Sequence, residues 1–479
     1  MAIHELPTAR DLKILRDHSE GSGSSVAHLR LVASTDQHNI DRTLLLNTTE
    51  VVVGRDLIPP GSSRPMCDDG LMSRRHFVIS RTGFTYHITD VESTNGTFLD
   101  GHRLRSHTPA TLTHGSVIRS GNSLFVFNPT EPSMEPWDHP ILPGYGPALC
   151  RVRDWLRRIV PLSLPVLLLG ETGTGKEYVA LGIHRTSSAS GGPFIPVNCG
   201  ELERQLARSE LFGAIRGAYT GAVESRSGLV ADAANGTLFL DEVGELDLDV
   251  QKSLLRFLQD GSYRPVGGNT ERRSTARIIT ATNMDLECAV KENRFREDLL
   301  ARLRSVEPIC LPPLRSRRED ILRWSEKLLA ETQHKMGIQR PAHYDMDVCE
   351  ALVLEPWSRN LRELQETMLT AALRADNTKP ILLHHLPEPI QKRFHDRRTR
   401  AHNDNNPIFA NTYLHPPPSL DTVQKKDWEE ITSALLQNEG NVSKAAETLG
   451  KNRRWLYRRA QSLGIDVDQF RNPAVKEGV

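Results

Sequence analysis

Gly170-Glu171-Thr172-Gly173-Thr174-Gly175-Lys176 follows directly on the apolar run Pro165–Leu169. A strand that runs into a glycine-rich turn ending in Gly-Lys is suited to hold phosphate. The glycines let consecutive backbone N–H groups converge on a polyanion, the next helix presents its positive N-terminal end, and Lys176 adds a full charge beside the β- and γ-phosphates. Glu177 stands where a Ser or Thr would normally hold magnesium, so the metal must rely on another carboxylate. Gly236-Thr237-Leu238-Phe239-Leu240-Asp241-Glu242 offers one, an apolar strand with two acids at its C-terminal end, where ligands bind in open α/β sheets. Asp241 is suited to hold Mg²⁺ and Glu242 to polarise an attacking water. The two motifs in this order point to nucleotide hydrolysis.

Composition bounds the elements that must position these groups. At 479 residues the chain exceeds one hydrophobic core, and about 100 to 200 residues per domain makes roughly three domains. Lys and Arg total 60 against 60 Asp and Glu, a formal net charge of +0, so any nucleic-acid surface has to be local. Six cysteines lie scattered without CxxC spacing, which argues for reduced thiols over a disulfide frame or a zinc site. No signal peptide opens the sequence, and no apolar run reaches the ~18 residues of a membrane span. The expectation is a soluble, cytoplasmic protein with no membrane partner.

Residues 1–27, ending in a Gly/Ser-rich stretch, are expected to form a mobile lead-in. From 28 to 129, short alternating segments separated by turn residues predict an all-β sandwich, among them Leu29–Val32, Phe77–Ser80, Phe84–Ile88 and Leu124–Phe127. Its loops carry Gly54-Arg55, Ser73-Arg74-Arg75-His76 and Asp90-Val91-Glu92-Ser93-Thr94-Asn95-Gly96-Thr97. Arg55 and Arg74 can give charge-assisted hydrogen bonds to a phosphate dianion, and Ser73 and Thr94 add neutral donors. In these motifs the segment resembles a forkhead-associated (FHA) domain, a phosphothreonine reader. The resemblance implies that Asn95 holds the peptide backbone beyond the phosphothreonine and that His76 braces the loop. It also implies a phosphothreonine protein or a Ser/Thr kinase as partner. The insert Asp56–Met72 leaves peptide preference open.

A linker, 130–140, leads into 141–388, where a helix at about Pro147–Ile159 precedes the phosphate loop. Between the nucleotide motifs lies Glu210–Ala222, small residues with one aromatic between glycines. Such a run makes poor core and suits a surface loop with its aromatic at an exposed tip. Gly217-Ala218-Tyr219-Thr220-Gly221-Ala222 is similar to the GAFTGA loop of bacterial enhancer-binding proteins, the AAA+ ATPases that activate the sigma-54 form of RNA polymerase, with Tyr219 for the usual Phe. The resemblance implies that these six residues contact sigma-54 and that Asn198 hydrogen-bonds the catalytic Glu242. It assigns Thr282 and Asn283 to γ-phosphate sensing, Arg362 to the sensor II position, and Tyr263–Gly268 to a second surface loop. Arg296 and Arg302 would reach the nucleotide of a neighbouring subunit. ATP with Mg²⁺ would then be hydrolysed in a ring, because an arginine supplied in trans puts each subunit into the next site and closes by rotation. The family precedent is a hexamer. The sequence departs from the family at Ala214-Ile215 (usually His-Glu), at Asn235 (usually Gly) and at Ser358-Arg359 (usually Pro-Gly).

From about Leu314, amphipathic segments over Arg318–Met336, Asp345–Leu354 and Leu361–Arg374 predict the helical lid of such ATPases. Residues 389–424 read as a flexible tether. The apolar pattern of 425–472 predicts three short helices and resembles a Fis-type helix-turn-helix. Asn452, Arg453, Arg454, Trp455, Tyr457, Arg458 and Arg459 give the third helix a positive face suited to a DNA major groove. The expected fold class is multidomain: an all-β sandwich, an α/β P-loop ATPase with a helical lid, and an all-α helix-turn-helix. The implied protein is a sigma-54-dependent activator that binds upstream DNA and remodels the sigma-54 RNA polymerase holoenzyme at the expense of ATP, under phosphothreonine control. The alternative is a DNA-binding regulator or phosphopeptide-responsive adaptor whose ATPase serves only oligomerisation, and the intact 217–222 loop argues against the first of these.

Overall fold

The computed structural model describes residues 26–59, 62, 64–132, 135, 137–218, 224–337, 343–375, 380–403, 422–438 and 442–463. The chain falls into two compact units, Met1–Ala401 and His402–Val479.

The N-terminal strands are β1 (His28–Ala33), β2 (Thr43–Leu45), β3 (Glu50–Val53), β4 (Phe77–Thr82), β5 (Thr85–Asp90), β6 (Thr97–Leu99), β7 (His102–Arg103), β8 (Ala110–Leu112), β9 (Val117–Ser120) and β10 (Ser123–Asn128). They pair antiparallel in two sheets, ordered β2-β1-β10-β9-β6-β7 and β3-β4-β5-β8. Period-two alternation turns Leu29, Leu31, Phe77, Ile79, Ile88, Phe125 and Phe127 into the space between the sheets. The Phe77 and Phe125 rings meet edge to face at 6.1 Å. This is the expected sandwich, with one addition. All six residues of β10 are buried, because its outer face is covered too. Leu124 and Val126, with Val32, Ala33 and Val117, share a core with the lid helices Ile321–Lys335, Met346–Leu354 and Asn360–Arg374. Each Leu or Val side chain so buried contributes about 1.5–3 kcal/mol.

The central domain is a five-stranded parallel sheet. Its strands are β11 (Val166–Leu169), β12 (Phe194–Asn198), β13 (Thr237–Asp241), β16 (Arg277–Thr282) and β17 (Ile309–Cys310), in the order β12-β13-β16-β11-β17. A short ribbon, β14 (Ser262–Tyr263) and β15 (Arg272–Arg273), lies outside it. Register aligns the functional strand ends: Asn198 is opposite Asp241, and Leu169 is opposite Thr282. One carboxyl edge therefore presents the phosphate loop, the acidic pair and the polar end of β16 side by side.

The expected helices form at Pro147–Ile159 and, for the lid, at Ile321–Lys335, Met346–Leu354 and Asn360–Arg374. The flexible tether expected from 389 needs correction at its start, where a helix spans Glu388–Asn403. Ile390 and Phe394, four residues apart on one helical face, are buried in the lid core and hold that helix in place. Residues 404–421 lie outside the described residues.

In the second unit, helices Thr422–Gln437, Val442–Thr448 and Arg453–Ser462 pack around Trp428, Ile431, Leu435, Ala445, Leu456 and Leu463. Gly450, at φ 63, makes the left-handed turn between the last two.

Candidate functional site

The phosphate loop carries positive φ at Gly173 (78) and Gly175 (101), the conformation that glycine supplies at least cost. Side chains are excluded there for a second reason: a Cβ on Gly173 would lie 2.2 Å from the Arg359 carbonyl. Lys176, 6% exposed, donates to the carbonyls of Gly170 (3.0 Å) and Glu171 (3.4 Å) and lies 4.0 Å from Oε1 of Glu242. The other Glu242 oxygen accepts from Thr282 Oγ1 at 3.5 Å and the Asn283 backbone N–H at 3.3 Å. Asn283 Nδ2 donates to Thr172 Oγ1 at 2.9 Å, tying the end of β16 to the loop. Asp241 Oδ1 accepts the Glu242 N–H at 3.0 Å. Thus Lys176, Asp241, Glu242, Thr282 and Asn283 meet at one strand edge. Glu177 is exposed in the first turn of the helix Lys176–Thr186.

Mg²⁺ beside a nucleotide needs only one or two carboxylates, the remaining ligands being phosphate oxygens and water. Asp241 at the sheet edge fits that requirement. No group of three or more His, Cys, Asp or Glu able to cage a metal occurs among the described residues.

Other sequence-derived positions fall elsewhere. Asn198 does not reach Glu242: its amide donates to Glu201 Oε1 at 2.7 Å and its oxygen accepts from Gly200 N–H at 3.1 Å, so it caps the turn after β12. Arg296 pairs with Asp298 at 2.6 Å. Arg302 donates twice to the Leu258 carbonyl, at 2.9 and 2.8 Å, near the end of the helix Leu248–Asp260. Within one chain, then, these bonds go to Asp298 and Leu258 and not to the strand-edge residues named above. Arg362 is exposed, and its Cβ approaches Gly173 of that loop.

At Gly217 φ is 78, and Ala218 N–H donates to Ile215 O at 3.1 Å. The base of this loop joins the second loop through Val266 N–H to Gly213 O (2.8 Å) and Ile215 N–H to Val266 O (3.1 Å). Ala214 is buried where the two loops bridge, so a small residue there fits the contact. Tyr219, Thr220, Gly221 and Ala222 lie outside the described residues. Asn235 takes φ 60, which explains why it can replace glycine.

In the N-terminal sandwich, Arg55 and Arg74 converge on one carboxylate, Asp56, at 3.6 and 3.8 Å. Thr94 N–H donates to Ser73 Oγ at 3.2 Å, and Asn95 Nδ2 donates to Leu71 O at 2.7 Å. The fully buried His76 accepts from Ser73 N–H at Nδ1 (3.0 Å), which leaves Nε2–H to donate to Gly96 O (3.2 Å). It therefore braces two of the three loops, and burial lowers its pKa below 6.5. Asp90 holds the third loop by accepting from Ser93, Thr97 and Ser106. Burial opposes its charge, but those hydrogen bonds keep its pKa below the usual carboxylate value.

In the second unit, Asn452 Oδ1 accepts the Trp455 N–H at 2.8 Å and so caps the third helix. Arg453 and Arg458 are exposed on that helix, whereas Arg459 is committed to Asp427 at 2.8 and 2.5 Å. The side chains of Arg454 and Tyr457 lie outside the described residues.

Sequence reasoning missed Asp56, whose role follows only from two arginines being brought together across loops. It also missed Arg315 and Asn360 as partners of the phosphate loop. Arg315 makes two contacts to Glu171, and Asn360 Nδ2 donates to Glu171 Oε2 (3.2 Å) and Thr172 O (3.0 Å). The run Leu124–Phe127, apolar at both parities, did carry a signal that β10 is covered on both faces.

A phosphate-loop sheet with a helical lid, preceded by an FHA sandwich and followed by a helix-turn-helix, defines a multidomain AAA+ DNA-binding regulator. Family descriptions match in the same order: "Sigma-54 interaction domain" over 142–308, "FHA domain" over 51–121, "AAA+ ATPase lid domain" over 315–403 and "Bacterial regulatory protein, Fis family" over 427–462. The DNA-binding transcriptional regulator NtrC of Rhizobium meliloti (strain 1021) is 37% identical over 343 residues, 68% of this chain and 70% of that protein. The Nif-specific regulatory protein of Azotobacter vinelandii is 37% identical over 329 residues, and there the chain spans only 59% of the relative's length. Among solved structures, NtrX from Brucella abortus in complex with ATP is 29% identical, with 68% of this chain and 69% of that one covered at a TM-score of 0.47. The chain belongs to the NtrC family of sigma-54-dependent transcriptional activators.

Proposed function

We propose that this protein hydrolyses ATP to remodel the sigma-54 RNA polymerase closed complex, anchored to upstream DNA by its helix-turn-helix and controlled by a phosphothreonine partner. The observation that carries the ATPase reading is Glu242. Its carboxylate is shared between Lys176 on one side and Thr282 with Asn283 on the other, so a base, a phosphate-binding cation and polar sensors occupy one strand edge. Lys176 and the loop N–H groups hold the phosphates, Glu242 orients and deprotonates water, and Asn283 reports on the loop through Thr172. Asp241 would hold Mg²⁺, which neutralises developing phosphate charge. Arg296 and Arg302 would complete the site of a neighbouring subunit in a hexameric ring, and Asn198 would turn to Glu242 only with nucleotide bound. Gly217–Ala222 would engage sigma-54.

The phosphothreonine reading rests on Arg55, Ser73, Arg74, Thr94 and Asn95 lying around one rim, with Asp56 occupying the position between the arginines. DNA contact rests on the third helix of the second unit.

The test is capture of purified sigma-54 by the purified protein with ADP, Mg²⁺ and a metal fluoride that mimics the transferring phosphate. A stable complex lost in Thr220→Ala supports activation through this loop. ATP turnover without any complex would shift the reading to a regulator whose ATPase serves assembly alone.

A further inference from the structure

We propose that the lid reads occupancy of the FHA site through the β9–β10 hairpin, so that a phosphothreonine peptide and nucleotide alter each other's binding; this rests on the phosphothreonine reading above. Two routes lead from the FHA loops to one buried carboxylate of the lid.

The first starts at Asn95, whose amide is engaged by Leu71 O at 2.7 Å. Leu71 N–H donates to Asp69 Oδ1 at 3.0 Å, and Asp69 Oδ2 accepts from Asn122 N–H at 2.7 Å and Ser123 Oγ at 3.0 Å. Asp69 is 2% exposed, so its carboxylate has little water to turn to when these bonds change. The hairpin turn is held closely: a Cβ on Gly121 would lie 2.7 Å from Asp69 Oδ2 and 3.0 Å from Leu71. Arg119 donates to Gly121 O at 3.3 Å and, with Nη1, to Asp347 and Glu350 of the lid at 2.6 Å each. The second route runs from Thr94–Gly96 into β6, where the Phe98 ring lies 4.4 Å beneath the Arg398 guanidinium. Arg398 donates to the same Glu350 oxygen at 2.5 Å.

Glu350 is 1% exposed, so neither arginine can withdraw without leaving a buried charge short of a partner. From the helix Met346–Leu354 the network continues. Leu352 O accepts from Trp357 Nε1 at 2.9 Å, Trp357 O accepts from Asn360 N–H at 2.8 Å, and Asn360 bonds Thr172 of the phosphate loop. The switching element is the 69–72 segment. A peptide backbone that takes the Asn95 amide competes with Leu71 O, and the segment it releases is the one that Asp69 ties to the hairpin. A ligand that favours one arrangement of this segment must bind with different affinity when nucleotide favours the other.

The experiment uses the full chain and a fluorescent phosphothreonine peptide selected from a degenerate library for binding to it. Peptide affinity is measured by anisotropy in nucleotide-free protein, with ADP, and with ADP, Mg²⁺ and metal fluoride. At least an about fivefold difference between states is expected for the wild type. It should shrink markedly in Arg119→Gln, which leaves only the route through Arg398, and to a lesser degree in Asp347→Asn, whose position is 43% exposed and tolerates the change, while both variants still bind peptide. Equal affinity in all states of the wild type would overturn this inference and leave the phosphothreonine reading intact. State dependence that survives both substitutions undiminished would overturn the route through Arg119. No phosphorylated peptide preferred over its unphosphorylated form would overturn both readings.

Discussion

Arg315 of the lid grips Glu171 of the phosphate loop with both terminal nitrogens, Nη1 to Oε2 at 2.7 Å and Nη2 to Oε1 at 2.5 Å. The fork fixes the loop's one acid and links its position to the lid. Both side chains are more than 40% exposed, so the ion pair itself is worth at most about 1 kcal/mol. Asn360 beneath it is fully buried, takes φ 53, and satisfies Leu314 N–H as well as Glu171 and Thr172 O.

The two residues should therefore separate function from stability. Arg315→Ala is expected to unfold within a few degrees of wild type yet raise the KM for ATP several-fold. Asn360→Ala strands buried polar groups and should cost about 1–3 kcal/mol. Thermal unfolding beside steady-state ATPase assays checks both; an Arg315→Ala enzyme with unchanged KM would mean that the fork has no part in nucleotide binding.

Glu242→Gln keeps the shape and the hydrogen bonds from Thr282 and Asn283 but removes the proposed base. Nucleotide binding should persist while turnover falls by about 10²–10⁴, the usual contribution of general-base catalysis. Equilibrium binding of a fluorescent ATP analogue and phosphate release report the two quantities separately. Retained turnover would assign the base to another residue.

Asp56 lies between Arg55 and Arg74, where the proposed phosphothreonine would bind. Its side chain is 63% exposed, so it competes weakly. Asp56→Ala should tighten phosphothreonine peptide binding about two- to fivefold, whereas Arg74→Ala should abolish it. Calorimetric titration of the selected peptide decides the matter, and weaker binding by Asp56→Ala would show that the carboxylate organises the arginines instead of competing for them.

Most of the fold was legible because each element obeys a local rule. The sandwich follows from period-two alternation, the ATPase from a strand-glycine-lysine turn, and the lid helices from apolar residues three and four apart. What stayed hidden depends on contacts between distant segments. Arg119, Asp347 and Glu350 are unremarkable charges in sequence, and only the docked outer face of β10 makes them partners. Ile390 and Phe394 are too sparse among charged neighbours to announce a helix, yet the lid supplies the apolar surface they need. Asn198, Arg296 and Arg302 carry roles implied by resemblance, and in the single chain each satisfies itself locally.

His76 gives the FHA site a pH dependence whose sign can be worked out. Its folded-state pKa lies below the ordinary 6.5, chiefly because burial penalises the imidazolium, which outweighs the opposing pull of the Gly96 carbonyl, Asp90 and Asp69. Below pH 6.5 the unfolded chain takes up a proton that the folded domain resists. Stability from this group is therefore complete above pH 6.5 and is lost as pH falls through the folded value. Protonation also turns Nδ1 from acceptor to donor, which breaks its bond from Ser73 N–H and loosens the loop that carries Ser73 and Arg74. Phosphopeptide affinity of the wild type should therefore decline as pH is lowered from 7 toward 5, more steeply than the second ionisation of phosphothreonine near pH 6 accounts for. A His76→Asn variant, if it folds, should bind more weakly throughout but lose the added slope. Parallel titrations of both proteins with one peptide test this, and identical slopes would remove His76 from the pH response.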